Sequence, residues 1–339
     1  MLCLIAAILT PQAAIKEVVP PENSRIVGIN AVGPSGELAA ALEKDGECCL
    51  VVFRGQSIEQ INTPKNEEFG FEEISSVEWS VNGFTDKGEL FGSANTTSPT
   101  HLSMAFVSQG AAFKPVNIPE PYHSWPYSRA LFVHPDGTVL VEVMTENHDA
   151  PDLTGYFIHR LILTRNGSLV RDFGFVEKPV FNSKGDLAAA EIRTNDSFET
   201  STSSTVLWRN GDIKRIPDSS PVAFLKDGNV VISRRIKSND EDRFELDICT
   251  VRDELVGDYL FTGKPSTLNE FHMNGDQTGF VRGFESGRAV LRLFDRSRFV
   301  ELPTQGAEKA RFLCERDGVF VFSLPGPEST YKFFTCQMP

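Results

Sequence analysis

Residues 130–141 read Ala-Leu-Phe-Val-His-Pro-Asp-Gly-Thr-Val-Leu-Val, two apolar runs separated by a turn sequence. The same arrangement recurs at 222–232, Val-Ala-Phe-Leu-Lys-Asp-Gly-Asn-Val-Val-Ile, and at 311–322, Arg-Phe-Leu-Cys-Glu-Arg-Asp-Gly-Val-Phe-Val-Phe. Asp-Gly between apolar runs is a strong short-range hairpin signal, because glycine tolerates the positive φ of the primed turns. Each copy is therefore predicted to be a strand, a tight turn and a strand, with primed turns at Asp136-Gly137, Asp227-Gly228 and Asp317-Gly318.

Turn glycines recur along the whole chain at intervals of 43 to 52 residues. They are Gly36, Gly88, Gly137, Gly185, Gly228, Gly275 and Gly318. A second hairpin follows in the first four units, at Arg54-Gly55, Gln109-Gly110, Asn166-Gly167 and Asn210-Gly211. Two hairpins give four strands in roughly 45 residues, the size of a propeller blade, whereas helical solenoids of that period need long amphipathic runs. We predict an all-β, seven-bladed β-propeller with four antiparallel strands per blade, forming one domain over residues 14–339.

The two ends of the chain supply an independent indication of a closed ring. The seventh unit stops after three strands, at residues 331–337. Ala14-Ile-Lys-Glu-Val18 matches the fourth strands of other units, such as Ser57-Ile-Glu-Gln-Ile61 and Asp212-Ile-Lys-Arg-Ile216. We therefore predict that an N-terminal strand completes the last blade, which removes an exposed sheet edge.

Several short motifs resemble those of a known family. Met104-Ala105-Phe106 and Val206-Leu207-Trp208 fit parts of a His-Ala-Phe motif and of the Leu-Trp that follows it. Val27-Gly28-Ile29-Asn30 and Val81-Asn82-Gly83 are similar to the Gly-Ile-Asn that opens a blade. On these residues the chain resembles the HAF-repeat propellers. The resemblance implies an exported propeller and implies no activity.

The N-terminus indicates export. Residues 1–9 form an almost unbroken apolar run, and small residues follow at Ala13 and Ala14. We interpret residues 1–13 as a truncated signal peptide, its basic end lost if the true start lies upstream, which predicts a secreted, periplasmic or cell-surface protein. A frayed apolar strand is the alternative. No other stretch approaches the ~18 apolar residues that a membrane span requires.

Composition and charge restrict the class of partner. With 40% hydrophobic and 23% charged residues, the chain can bury a large core without metal or disulfide support. Its net charge of -13 opposes binding to nucleic acid, and we expect a monomer. Cys314 and Cys336 are predicted to lie two strands apart, about 9.6 Å, which exceeds the ~7 Å limit for a disulfide, so they should not pair.

The loops between the hairpins are where function is expected. Antiparallel strands place both tight turns of a unit on one face of the disc and the longer loops on the other, and binding residues concentrate in loops held by a rigid scaffold. The predicted loops and links on that face are Asn95–His101, Thr145–Gly155, Thr194–Ser204, Lys237–Arg243, Asn62–Val77, Ile118–Tyr127 and Val256–Leu268.

Two of these segments carry candidate binding residues. The link 119–127 is rich in aromatics and suits sugar or peptide contacts, although its rings could instead fill the cleft between blades 2 and 3. The loop 145–152 offers oxygen and imidazole ligands that could hold a divalent cation, although a solvated acidic loop explains it equally well. The candidates are Tyr122, His123, Trp125, Tyr127, Glu146, His148, Asp149 and Asp152.

Local catalytic motifs are absent from the sequence. It contains no GxSxG elbow, HExxH, P-loop or strand-following GxGxxG, and we interpret His134 and His159 as strand residues. We therefore predict no catalytic residues and no cofactor, and a non-enzymatic exported scaffold that binds a protein, peptide or glycan through its loop face. A metal-dependent hydrolase or lactonase-like enzyme, with ligands from several blades, is the alternative. A structural module in a surface assembly is a third possibility.

Overall fold

The structure, a computed structural model, describes residues 14–63, 77–96, 102–110, 112–122, 127–146, 157–182, 184–194, 201–209, 212–237, 244–252, 255–263, 268–273, 278–285, 288–295, 298–301, 309–326 and 330–337. Within these ranges, 28 strands pair into seven four-stranded antiparallel sheets. For reference the sheets are numbered below as blades 1 to 7 in chain order, and six of the seven sheets are built from four consecutive strands.

Blades 1 to 3 occupy the first half of the chain. The strands of blade 1 are β2 (Ser24–Val32), β3 (Leu38–Lys44), β4 (Glu47–Arg54) and β5 (Ser57–Gln60). Those of blade 2 are β6 (Val77–Phe84), β7 (Leu90–Thr96), β8 (Ser103–Gln109) and β9 (Ala112–Pro115). Those of blade 3 are β10 (Ser128–Val133), β11 (Val139–Glu146), β12 (Phe157–Arg165) and β13 (Ser168–Gly174).

Blades 4 to 7 follow the same plan. The strands of blade 4 are β14 (Glu177–Phe181), β15 (Leu187–Thr194), β16 (Ser201–Arg209) and β17 (Asp212–Pro217). Those of blade 5 are β18 (Ser219–Phe224), β19 (Val230–Lys237), β20 (Phe244–Arg252) and β21 (Leu255–Gly263). Those of blade 6 are β22 (Leu268–Met273), β23 (Thr278–Glu285), β24 (Arg288–Asp295) and β25 (Arg298–Glu301). Blade 7 contains β26 (Arg311–Arg316), β27 (Val319–Pro325), β28 (Tyr331–Gln337) and, from the N-terminus, β1 (Ala14–Glu17).

The predicted pairing of the N-terminal strand is confirmed. β1 pairs antiparallel with β28, with Ala14 opposite Gln337 and Glu17 opposite Phe334. Ile15 also packs against the apolar cluster of blade 7, so β1 contributes to the core as well as to the hydrogen-bonded ladder. The first and last strands of the described chain therefore lie in one sheet.

The prediction of primed turns was wrong at Asp136-Gly137 and Asp227-Gly228. In each case the glycine alone has a positive φ, and its N–H donates to a carbonyl three residues back, from Gly137 to His134 and from Gly228 to Leu225. This is the three-residue hairpin, in which a type I turn is followed by a left-handed glycine. At Asp317-Gly318 both residues have positive φ, as a primed turn requires.

Neighbouring blades share apolar clusters, so both surfaces of blades 1 to 4 are covered. The second strands of blades 1 and 4 are rich in alanine, and Ala39, Ala40, Ala188 and Ala189 are fully buried. These small side chains leave space for large ones, such as Phe106 of blade 2, which packs with Trp79 and Phe113. Shared clusters join blades 7 and 1, 1 and 2, 2 and 3, 3 and 4, and 4 and 5.

The predicted fold is confirmed as an all-β propeller of antiparallel four-stranded blades. Side-chain packing is described for five of them, blades 1 to 4 and 7, and for β18 and β19 of blade 5. The remaining strands, β20 to β25, are described by their backbone pairing. Seven blades packed in one ring therefore stay a prediction. The expected link over 256–268 was wrong, because residues 255–263 form β21.

Two other expectations concern cysteines and membranes. Cys48, Cys49, Cys314 and Cys336, the cysteines with described side chains, are all unpaired, so Cys314 and Cys336 do not form a disulfide. Burial raises the pKa of the Cys336 thiol to about 12. In the described part of the chain, no helix has the length and hydrophobicity needed to cross a bilayer.

Candidate functional site

The sheets have two distinct ends. We call the end with the turns between first and second strands and between third and fourth strands the hairpin face, and the opposite end the loop face. At the loop face of blade 3, β10 begins at Ser128 and β13 ends at Gly174. Ser128 fixes this end against blade 2, because its Oγ accepts the Ala105 N–H at 2.9 Å and its carbonyl accepts the Ser103 hydroxyl at 3.1 Å.

Asp172 is the centre of one polar group at this end. The Tyr122 hydroxyl donates to Asp172 Oδ2 at 2.6 Å, Arg160 Nη2 donates to the same oxygen at 2.8 Å, and the Gly174 N–H donates to Oδ1 at 2.7 Å. Burial alone would raise the pKa of Asp172, but these donors outweigh it and hold that pKa below its usual value. Burial, and then the bond to Asp172, raises the pKa of the Tyr122 phenol. Asp172 is thus an ionised acceptor.

Glu142 is the centre of a second polar group. Arg129 Nη2 lies 2.9 Å from Glu142 Oε2, and the Tyr127 hydroxyl donates to the same oxygen at 3.4 Å. His159 Nδ1 lies 3.7 Å from Glu142 Oε1, and its ring meets the Tyr127 ring edge-on at 4.9 Å. Burial and then the charge of Glu142 raise the pKa of the Tyr127 phenol, which stays protonated at neutral pH.

The two polar groups lie on opposite surfaces of blade 3. Alternate residues of a strand face opposite sides of a sheet, so Glu142 and Val143 point apart. Val143, like Ile162 opposite Asp172, packs towards blade 2, whereas Leu161, opposite Glu142, packs towards blade 4. The Asp172 group therefore faces blade 2 and the Glu142 group faces blade 4, both at the loop face.

Three buried polar atoms in this region have no hydrogen-bond partner among the described residues. They are Arg129 Nε, Arg160 Nε and Thr145 Oγ1. Buried donors are nearly always paired in folded proteins, because an unpaired one retains its desolvation cost. We refer to the two polar groups together with Thr145 as the blade 3 loop site.

The structure places two of the eight predicted binding residues at this site, where Tyr122 and Tyr127 contribute their hydroxyls. A third, Glu146, is the last residue of β11 and follows Thr145, and only its backbone is described. Tyr122 also packs on the apolar cluster between blades 2 and 3, in agreement with the alternative of cleft-filling rings. His123, Trp125, His148, Asp149 and Asp152 lie outside the described residues.

Sequence reasoning missed the residues that hold these tyrosines. Arg129, Glu142, Arg160 and Asp172 were not singled out, and His159 was interpreted only as a strand residue. Charged residues inside apolar strands were the available signal. The pairing register that brings them together was not visible in the sequence.

Comparison with known proteins supports the fold. The propeller domain of the Trilobed protease from Pyrococcus furiosus, described as having an open velcro topology, superimposes with a TM-score of 0.58 at 10% identity, covering 95% of both chains. The Pyrococcus horikoshii acylaminoacyl peptidase gives a TM-score of 0.59 at 11% identity, and a puromycin hydrolase gives 0.53 at 15% identity. They match 92% and 91% of this chain, which spans about half the length of each enzyme, 51% in both cases.

These similarities establish a propeller and nothing finer. No protein-family model matches the chain, and no curated protein sequence matches it. The resemblance to HAF-repeat propellers therefore stays a prediction.

The site presents hydrogen-bonding groups and aromatic rings at one end of blade 3. In the part of the chain that the structure describes, no cluster of three or more His, Cys, Asp or Glu side chains could hold a metal ion. Glu142 and Asp172 each have an arginine partner, which leaves little negative charge for a cation. The phenols, imidazole and guanidinium groups are instead suited to hydrogen bonding and stacking.

Proposed function

We propose that this protein is a non-enzymatic binding scaffold that takes a protein or peptide partner at the blade 3 loop site. The observation that carries the proposal is the set of two tyrosines, two arginines and a histidine, held by two carboxylates at one end of a rigid sheet. Tyrosine and arginine are enriched at protein interfaces and dominate the residues on which binding energy depends.

The partial exposure of the Glu142 group supports this function. The side chains of His159 and Arg129 are 46% and 41% exposed, whereas that of Glu142 is 18% exposed. The less exposed Glu142 carboxylate thus orients the His159 imidazole and the Arg129 guanidinium, which solvent or a partner can reach. Held in place before binding, these groups lose little conformational entropy when a partner docks.

Site-specific photo-crosslinking of the full chain in its own cells tests the proposal. A benzophenone side chain at position 159 should give one dominant protein adduct, and Tyr127→Ala should reduce its yield. The matched control carries the same group at Gln56, which is exposed on the hairpin face of blade 1. Equal adducts at both positions would contradict a specific site. A lack of protein adducts together with Tyr127-dependent binding to a glycan array would replace the protein partner with a glycan.

A metal-dependent hydrolase is the rival proposal, with carboxylates from several blades around one divalent ion. A ligand bound only to the folded state raises the melting temperature, so metal analysis with and without a chelator separates the two proposals. The scaffold predicts a protein that is metal-free and indifferent to the chelator. A stoichiometric divalent ion whose removal lowers the melting temperature would favour the enzyme.

We further propose one closed ring of seven blades. The pairing of β1 with β28, the contacts of β2 with β26 and β6, and the contact of β18 with β22 support it. The testable consequence is sevenfold pseudosymmetry in electron-microscopy class averages of the purified chain. Six-fold averages would contradict the count.

Export is part of the same proposal and rests on the apolar run 1–9. Cleavage after Ala13 would leave Ala14, the first residue of β1, at the N-terminus. N-terminal sequencing of the protein from cell fractions tests this. A mature chain that retains Met1 in the cytoplasmic fraction would contradict it.

A further inference from the structure

A cleft on the hairpin face lies between blades 2 and 3, at the opposite end of the sheets from the blade 3 loop site. Its volume is about 700 Å³, within the 300–1,000 Å³ that is usual for small-molecule sites. Blade 2 contributes the turn after β6 and the β8–β9 hairpin, and blade 3 contributes the turns after β10 and β12. The cleft is therefore a gap between two packed sheets, with walls fixed by hydrogen-bonded turns.

The floor of the cleft is apolar. Val107, Val116 and Val133 line it and pack against the cluster shared by the two blades, and Val139, also lining, is buried within that cluster. Binding of an apolar ligand group to the valines at the base of this open cleft is favourable, because it removes apolar surface from water. The floor thus suits the hydrocarbon or aromatic body of a ligand.

The rim carries an excess of positive charge. Lys87 and Lys114 line the cleft, and neither has a carboxylate partner among the described residues. The Lys114 ammonium instead donates to the Gln109 side-chain oxygen at 2.7 Å. Asp86 also lines it, but Arg316 binds this carboxylate at 2.7 Å. Glu89 is the remaining lining carboxylate and accepts the Thr85 hydroxyl at 3.5 Å. Two ammonium groups thus face one uncompensated carboxylate.

From this combination we infer that the cleft binds a small amphipathic organic anion, with its apolar body on the valines and its carboxylate or other acidic group between Lys87 and Lys114. A chain of net charge -13 repels small anions in general, so a locally cationic cleft is a selective feature. The site is independent of the proposed partner-binding function, because it lies on the other face.

Fluorescence titration with anilinonaphthalene sulfonate, an aromatic body with one anionic group, tests the inference on the full chain. N-phenylnaphthylamine, which lacks the sulfonate, is the uncharged reference. The Lys87→Met/Lys114→Met double variant should bind the sulfonate about fivefold to tenfold more weakly, the sum of two partly screened charge contacts. Its affinity for the uncharged amine should stay unchanged.

The matched control is Lys16→Met/Lys44→Met, which removes the same charge from exposed positions that do not line the cleft. It should bind both probes as the original chain does. Equal weakening in the two double variants would overturn the inference, because net charge alone would then explain the effect. So would a sulfonate affinity that neither variant changes. Both variants alter exposed lysines, and equal melting temperatures verify that they fold.

Competition identifies the ligand class. Decanoate should displace the bound sulfonate probe, and inorganic phosphate at the same concentration should not, because phosphate has no body to cover the valines. Displacement by both to the same extent would overturn the amphipathic ligand and indicate a simple anion site.

Discussion

Asp172 receives three hydrogen bonds, from a phenol, a guanidinium and a backbone amide. Its neighbours come from the link before β10, from β12 and from β13, so a single carboxylate holds three segments of one blade end together. Tyr122 and Asp172 are 50 residues apart in sequence. The chemistry of the site therefore depends on residues that no local motif could have connected.

Asp172→Asn should lower the free energy of unfolding by about 1–3 kcal/mol at neutral pH, because the hydrogen bonds to a charged acceptor are lost. The native pKa lies below the reference value of 3.8, so this stability is present above pH 3.8 and disappears as the pH falls through the native pKa. Urea unfolding of both proteins should show a difference at pH 7 that closes in stronger acid. Asp227→Asn, in an exposed turn, is the control, with a smaller effect. A gap that widens in acid would contradict the assignment.

Gly92→Ala should destabilise the protein by about 3 kcal/mol or more. A Cβ at Gly92 would lie 1.9 Å from the Ser80 carbonyl oxygen on the neighbouring strand β6, which is backbone and cannot turn away. Gly28→Ala is the comparison, since its nearest contact, Asn30 Oδ1 at 3.5 Å, is ordinary. Thermal melting of the two variants measures the difference. Equal melting temperatures would show that β6 and β7 are further apart than described.

Strand β1 is four residues long, yet it supplies both a ladder and a core residue to blade 7. Its short length means that one side chain carries most of its attachment. Ile15 is that side chain, because it packs with Phe320 and Phe322, whereas Lys16 is exposed.

Ile15→Asp should cost about 2–3 kcal/mol, from lost burial and from a carboxylate placed against the apolar cluster. Amide hydrogen exchange should accelerate most in β28, whose outer edge loses its partner. Lys16→Ala should leave the exchange of β28 unchanged. If Ile15→Asp unfolded all blades together without a selective effect on β28, then β1 would not be a separable closing element.

At the level of strands, much of the fold could be predicted from the sequence. Turn glycines gave the period, and β5 and β17 begin where the fourth-strand pattern predicts. The turn type at Asp136 could not be predicted from Asp-Gly alone, because the carboxylate accepts the Thr138 N–H at 2.9 Å and keeps the residue out of the left-handed region. For the candidate site, the sequence predicted its location on the loop face and two of its residues, the tyrosines Tyr122 and Tyr127. Its carboxylates and arginines depend on strand register, which alternation alone leaves open.

Across the whole molecule, Arg316 links the last blade to the second. Its Nη1 donates to the Phe84 carbonyl at 2.8 Å and its Nη2 to Asp86 Oδ1 at 2.7 Å, and these residues are 232 and 230 positions away in the sequence. Blade 1 lies between the two, since β2 contacts both β26 and β6. The guanidinium thus bridges blades 7 and 2 on the hairpin face, beside the cleft between blades 2 and 3.

Arg316→Ala should lower the free energy of unfolding by about 1–2 kcal/mol, because a backbone carbonyl and a carboxylate lose a charged donor. Arg54→Ala is the control, since its pairs with Glu37 and Glu59 lie within blade 1 and are partly exposed, and it should cost less than about 1 kcal/mol. Urea denaturation measures both. A larger effect for Arg54 would contradict a special role for the link between blades.

The pairing of β1 with β28 has a consequence for synthesis on the ribosome. Strand β1 is translated more than 300 residues before its partner β28, so blade 7 cannot form until β28 has been made. Blades 1 to 6 can fold from consecutive strands as they emerge, whereas β1 waits with an unpaired backbone for more than 300 residues of elongation. At roughly 5–20 residues per second, that wait lasts on the order of tens of seconds. During this time, pairing of β1 with a neighbouring nascent chain would compete with its pairing to β28 in the same chain.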